Sequence, residues 1–250
     1  MANRFRSSRR WALSILASAC AAAHALDIAS AVPPIEVTDG QLTVGSRTLL
    51  LPPGRWYYVD HSQKTINTGL HFHSPEDTVY LVQTENGQIA LSIRLVLLRE
   101  DILASGWDFG CLHDASIYFK ERTPSPGRSD CLTIAPRRVN DYDQFIKRYS
   151  PRAADWLAAR GVTEPVAMIY ARYMCFAANT YGVLGVLIPT AHFDSEASAI
   201  DWAESMRSAL KPWFEHRVDE ARLPAIAALP GAASAATPEA EAASSAASAP

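Results

Sequence analysis

Apolar and polar residues follow a two-residue alternation in the first half of the chain and a helical spacing only in the second. Residues 41–51 read as strand, closed by the turn Pro52-Pro53-Gly54, and residues 55–59 read as the next strand. The sharpest element is a hairpin. Residues 78–84 enter, Glu85-Asn86-Gly87-Gln88 turns and residues 89–98 leave, with Asn-Gly supplying the positive φ angles of a type I′ turn. On the outgoing strand Ile89, Leu91, Ile93, Leu95 and Leu97 share the face that packs on a core. Ala90, Ser92 and Arg94 lie on the other, which is expected to be partly wet at its start. Residues 116–121 and 131–136 form a second pair. Residues 166–177 and 181–188, joined by Ala178-Asn179-Thr180, form a third.

Helical spacing appears after residue 140. Residues 141–149 look helical. Ser150 caps the next helix, with Pro151 in its first turn, where a missing N–H costs nothing. That helix carries Trp156 and Leu157 and stops at Gly161. A long helix starts near Ser195, and Ile200, Ala203, Met206, Leu210 and Trp213 form its core-facing stripe. Pro212 kinks it or ends its regular part. Strands that come in hairpins, not in alternation with helices, predict the α+β class: an antiparallel β-sheet built from hairpins with helices packed on one face. Neither a G-x-G-x-x-G nor a Walker loop supports a doubly wound alternative.

The ends of the chain have a different character. Arg4, Arg6, Arg9 and Arg10 precede an apolar run over residues 11–23 that ends in Ala23-His24-Ala25. Residues 1–25 therefore read as a signal peptide, cut after Ala25. The run is shorter than the roughly 20 residues that span a bilayer, and no later segment fills that role, so no transmembrane segment is expected after cleavage. Leu16-Ala17-Ser18-Ala19-Cys20 also fits a permissive lipobox, which would anchor the chain through lipid at Cys20 as an outer-membrane lipoprotein. Ser8-Arg9-Arg10-Trp11 opens a twin-arginine motif that Ala12 and Ser14 do not continue. The expected location is the periplasm or outside the cell. Residues 26–39 read as a linker and residues 40–218 as a single α+β domain. Residues 223–250, rich in Ala, Ser and Pro without an aromatic residue, read as a disordered tail.

Charge and cysteine usage follow from export. The full chain has 23 basic and 26 acidic residues. Removing residues 1–25 takes four arginines and no acid, leaving a formal net of −7. That balance disfavours nucleic acid and anionic lipid as partners through bulk charge. In an oxidising compartment Cys111 and Cys131, 20 residues apart around a Pro/Gly-rich loop, read as a disulfide. Closing that loop stabilises the fold by about 3 kcal/mol on the chain-entropy model. Cys175, between Met174 and Phe176, reads as a buried thiol.

Candidate chemistry is sparse. His71-Phe72-His73 would place two imidazoles on one side of a strand. With His61 and its neighbouring carboxylates, they form a candidate Zn or Cu site. The competing reading is a polar loop with exposed histidines, since Ser62, Gln63, Asn67, Thr68, Gly69, Ser74 and Pro75 surround them. Asp194, in His192-Phe193-Asp194, reads as a helix cap in preference to a catalytic acid. His113-Asp114 reads as a polar turn, and Trp107, flanked by Gly106 and Gly110, as a packed loop that could instead present an aromatic surface. There is no G-x-S-x-G elbow, no S-x-x-K set and no assembled acid–base pair, so no catalytic residue is assigned.

Leu51-Pro52-Pro53-Gly54-Arg55-Trp56 stands ahead of residues 111–131, which enclose Tyr118-Phe119-Lys120-Glu121. With the leader and a late Trp-bearing helix, these passages make the chain resemble exported proteins of Gram-negative bacteria over about residues 40–217. The resemblance implies a structural turn, a Cys-Cys clip and a core, and it carries over no catalytic residue. The element order is also similar to that of PsbP-like domains, which implies a layout and no function. The expectation is a non-enzymatic envelope protein that binds an envelope partner or a small ligand. The alternatives are a metal-binding protein using His71 and His73, or a hydrolase whose site is assembled from distant residues.

Overall fold

The structure is a computed structural model, and it describes residues 25–37, 40–67, 73–98, 117–125, 128–138, 146–148, 150–177 and 180–226. Among these, twelve strands form two sheets. The small sheet joins β1 (Leu26–Asp27), β3 (Gln41–Val44), β4 (Arg47–Leu50) and β12 (Glu220–Arg222) in the order β1-β3-β4-β12. Its central pair is antiparallel and both outer pairs are parallel. The large sheet has eight strands, antiparallel at every pairing. They are β2 (Ile35–Val37), β5 (Trp56–Asn67), β6 (His73–Glu85), β7 (Gln88–Leu98), β11 (Thr180–Pro189), β10 (Ala167–Ala177), β9 (Arg128–Arg138) and β8 (Tyr118–Ser125), given in spatial order. Helices α1 (Pro151–Ala159) and α2 (Glu196–Phe214) pack on this sheet, so the fold is α+β with a mainly antiparallel framework.

The two helices do not share a face, in contrast to the sequence expectation. Along β6, Val79 and Leu81 join one core while Tyr80 and Val82 join another. Along β10, Ile169, Ala171 and Tyr173 join the first while Met168 and Tyr170 join the second. Since strand neighbours point to opposite sides, these cores lie on opposite faces. The first face is covered by α2, through Ala199, Trp202, Ala203, Met206, Leu210 and Trp213, and by Leu42 and Leu49 of the small sheet. The second face packs at one end on Ala153, Trp156 and Leu157 of α1. Apolar stripes show that each helix is buried; they carry no information on which side of a two-sided sheet receives it.

Several local expectations hold. Asn86 (φ 50°) and Gly87 (φ 74°) make the turn between β6 and β7. Ser150 caps α1, accepting from Ala153 N at 3.4 Å and donating to the buried Asp60 Oδ2 at 2.5 Å. Gly161, at φ 61°, follows that helix. The Pro-Pro-Gly turn is locked from inside: fully buried Trp56 donates Nε1–H to Pro52 O at 2.8 Å, and Gln83 Nε2 donates to Pro53 O at 3.1 Å. Pro212 lies in the last turn of α2, which ends two residues later.

Other expectations are corrected. Residues 41–51 are a hairpin and not one strand, because Gly45 at φ 61° turns the chain between β3 and β4. Ile89 packs in the second core and its expected companions Leu91, Ile93, Leu95 and Leu97 in the first, because a bulge shifts the register between Gln83 and Thr84. The opposite face of β7 is not wet at its start, since Ser92 is buried. Residues 26–39 are no linker where described: Ile28 and Val37 are buried, β1 extends the small sheet and β2 the large one. The fold also reaches past residue 223. Leu223 is buried with its N–H on Leu50 O at 2.9 Å, and Trp202 Nε1 donates to Pro224 O at 3.3 Å.

Candidate functional site

The stretch around the candidate histidines is not a loop up to residue 67. It continues β5, paired with β6 from Asp60 to Asn67, where Ser62, Gln63, Lys64 and Thr65 are exposed. His61 sits opposite Val79 on the first face, and its Nε2 lies 2.8 Å from Asp77 Oδ1, with both side chains largely buried. The Tyr58 ring is 6.2 Å from that of His61. Burial, reinforced by the negative charges of Asp77, Asp60 and Asp27, pushes the Tyr58 phenol far above its ordinary value, so it stays protonated. His73 is described as a backbone position only, opposite Asn67 and six positions along β6 from Val79. That separation is roughly 20 Å at the rise of a strand. His71 lies outside the described residues, and among the described ones no group of three or more His, Cys, Asp and Glu is placed to hold a metal ion.

The remaining candidates are spread over the fold. His192 ends a short 3-10 turn before α2, and the cap of α2 is Ser195, in a reciprocal pair with Ser198. Asp194 is exposed and takes no part in it. Ser195 reaches the N3 backbone, which a residue one position earlier cannot. Cys131 is buried in β9 between Glu121 and Met174 in the ladder, while its expected partner Cys111, along with Trp107 and His113, lies outside the described residues. Cys175 is a buried free thiol, pushed up to about 11, chiefly by burial.

A different constellation stands on the second face. Cross-strand partners share a face, so the register places Tyr80, Arg94, Gly185, Arg172 and Thr133 in one lateral row across five strands. With strands about 4.8 Å apart, the Arg94 and Arg172 backbones are about 10 Å apart, with Gly185 between them. Gly185 leaves room that Tyr170 fills: a Cβ there would lie 2.3 Å from the Tyr170 hydroxyl oxygen. That hydroxyl therefore sits between the two arginines. Burial raises the Tyr170 phenol, while Arg94, Arg172 and Arg137 all pull it back, Arg94 through a hydrogen bond as well. The Arg137 guanidinium lies 5.5 Å from the Tyr170 ring centroid, a cation–π contact. Tyr181 belongs to the same neighbourhood: burial and the charge of Glu76 raise its phenol, and Arg172 and Arg94 lower it. Glu76 is itself engaged by Lys64 at 2.9 Å.

Charge and satisfaction both point at this row. No ion pair joins Arg172 or Arg137 to a carboxylate among the described residues. Thr133, the ladder partner of Arg172, is buried and its Oγ1 has no hydrogen-bond partner among those residues. Contrast the first face, where Asp130 takes both Arg207 (2.9 and 2.7 Å) and Lys211 (2.5 Å), and Glu204 takes Tyr118 and Lys120. Guanidinium forks beside hydroxyl donors, held half-buried, are suited to oxyanions. Sequence reading placed Arg94 on the correct side but missed the row. The available signal was an arginine inside the apolar strand Tyr170-Ala171-Arg172-Tyr173. Its pairing with Gly185 depends on a two-residue connection, Ala178-Asn179, where a three-residue one was expected.

Comparison of the chain with protein-family models, curated proteins and solved structures gives no match.

Proposed function

We propose that this chain is an exported envelope protein that acts as a non-enzymatic binding module and holds its ligand on the second face of the large sheet, at the Arg94–Arg172 row. The observation that carries the reading is Arg172, a half-buried cation without a carboxylate partner among the described residues, beside the unpartnered hydroxyl of Thr133. Buried ionic and hydroxyl groups cost free energy unless they are paired, which supports a ligand at this row. The basic leader and the small-x-small site at Ala23-His24-Ala25 support export to the periplasm or beyond, and lipidation at Cys20 is the variant that would fix the protein to the outer membrane. The Cys111–Cys131 clip belongs to the same proposal.

The small-molecule fraction of an envelope extract provides the test. It should raise the melting temperature of the mature protein and leave that of Arg172→Glu unchanged. Equal shifts in both proteins, or none in either, would remove the ligand from this face. Sequencing the N-terminus of the same preparation should give Leu26. A blocked, lipid-bearing cysteine would instead place the anchor at Cys20.

A further inference from the structure

We propose that Asn86 is a site of spontaneous covalent modification, and that its isoaspartate product releases a clasp between the β6–β7 turn and the segment after α1. The inference stands apart from the ligand row. Asn86 and Gly87 are both exposed at the tip of the hairpin, with φ angles of 50° and 74°. Gly87 has no side chain to shield its backbone nitrogen. No described residue beyond its chain neighbours comes within 4 Å of where its Cβ would stand. Asparagine is among the thermolabile residues, and a bulky following residue hinders the attack that converts it. The other asparagines left after cleavage at Ala25 precede larger residues: Asn67 precedes Thr68, Asn140 precedes Asp141 and Asn179 precedes Thr180.

The backbone nitrogen of Gly87 attacks Cγ of the Asn86 side chain. An N–Cγ bond forms, the Cγ–Nδ2 bond breaks, and ammonia leaves with the proton from the Gly87 nitrogen, which closes a succinimide ring. Water then opens the ring. Attack at Cγ gives aspartate and keeps the original main chain. Attack at the Asn86 carbonyl carbon gives isoaspartate, whose main chain runs through Cβ and Cγ. Both products add a carboxylate that is ionised at neutral pH, but only isoaspartate lengthens the backbone. A two-residue turn with positive φ at both positions, held between paired Glu85 and Gln88, does not accommodate the added carbon. That turn also anchors its neighbour. Thr163 N donates to Gly87 O at 2.9 Å, its hydroxyl reaches the same oxygen at 3.4 Å, and Thr163 O accepts from Ile89 N at 3.0 Å. The clasp ties the segment after α1 to the hairpin, and Ile89 and Val162 beside it pack in the second core with Trp156 and Leu157 of α1. Rerouting the chain at residue 86 displaces Gly87 O from both of its donors.

Ageing the mature protein in neutral buffer, with peptide mapping and an isoaspartate assay at intervals, tests the site. Conversion should concentrate at residue 86, with Asn67, Asn140 and Asn179 lagging several-fold. Ion exchange, which reads the added carboxylate, then isolates the isoaspartate-bearing protein. Hydrogen exchange should find the Thr163 and Ile89 amides unprotected in that form, and it should melt several degrees below the unmodified protein. Asn86→Asp carries the charge without the extra carbon. Aspartate also tolerates the left-handed region, so this variant should keep both amides protected. Conversion at residue 86 no faster than at the other asparagines overturns the site. An isoaspartate form whose Thr163 and Ile89 amides stay protected overturns the released clasp. Equal loss of protection in Asn86→Asp assigns the effect to charge and overturns the backbone argument.

Discussion

At the scale of single residues, pairing decides what each buried charge does. Asp130 accepts from Arg207 and Lys211 beneath α2. Burial alone would raise its carboxyl, but the hydrogen bonds from those two cations outweigh it and hold the group below the usual carboxylate range. A folded value below the unfolded one means that its stabilisation is complete above about pH 4 and drains away as pH falls through the folded value. Equilibrium unfolding should therefore show stability falling below about pH 4. Asp130→Asn should cost about 3 kcal/mol at neutral pH, since it takes the buried charge away from two cations that keep only the less buried Glu204 and Glu215, and should flatten that acid limb. An acid limb as steep in the variant as in wild type would assign the loss to other groups. Cys175 makes a second test. With its thiol buried and pushed up to about 11, it should resist a disulfide reagent in the native protein and react once the chain unfolds. In denaturant without reductant the chain cut after Ala25 should titrate a single thiol, and with reductant all of Cys111, Cys131 and Cys175. Three thiols without reductant would exclude the clip.

At the scale of elements, legibility in the sequence depended on whether a local rule fixed the geometry. Asn86-Gly87 specifies its own turn, and Ser150-Pro151 specifies a helix start, so both stood where expected. The Ser150 cap also reaches out of its helix: its hydroxyl donates to Asp60, which is buried in β5. Ser150→Ala removes the cap and strips that carboxylate of its described hydrogen bond together, and should cost about 2 kcal/mol or more in chemical denaturation. A loss of a few tenths would mean that the Asp60 contact supplies nothing beyond an ordinary cap. Where geometry is set at a distance, reading failed. The bulge that turns Ile89 away from Leu91 arises between β6 and β7 and leaves no mark in the alternation itself. The outer half of β5 has no β2 alongside and exposes polar residues, so its composition imitates a loop although it stays in register with β6 along its length. The Arg94–Gly185–Arg172 row was hidden for the same reason: it exists only once β7 is in register with the β10–β11 hairpin, which is distant in sequence.

At the scale of the molecule, the first and last described segments close the first core, and a boundary drawn from composition cuts through it. Alanine and proline dominate after residue 223, which marks a tail by content, yet the fold ends by contact and not by content. β12 pairs in parallel with β4, Ala221 and Leu223 are buried, and Leu223 and Pro224 complete hydrogen bonds to Leu50 and Trp202. At the opposite edge of the same small sheet, β1 pairs with β3, and both strands of the central hairpin press Leu42 and Leu49 onto the core. Ending the chain after residue 218 therefore exposes one side of β4 and part of the Trp202 environment together. Loss of one large apolar side chain from the core with the hydrogen bonds that seat it should cost about 3 kcal/mol. A chain ending after residue 226 keeps all of these contacts, and the Ala/Ser/Pro-rich composition beyond it offers no comparable apolar surface. Melting curves of the two truncations beside the mature protein should then separate them, with the longer one matching the mature chain and the shorter one melting well below it. Coincident curves for the two truncations would show that the small sheet holds its place without β12 and would return the domain boundary to residue 218.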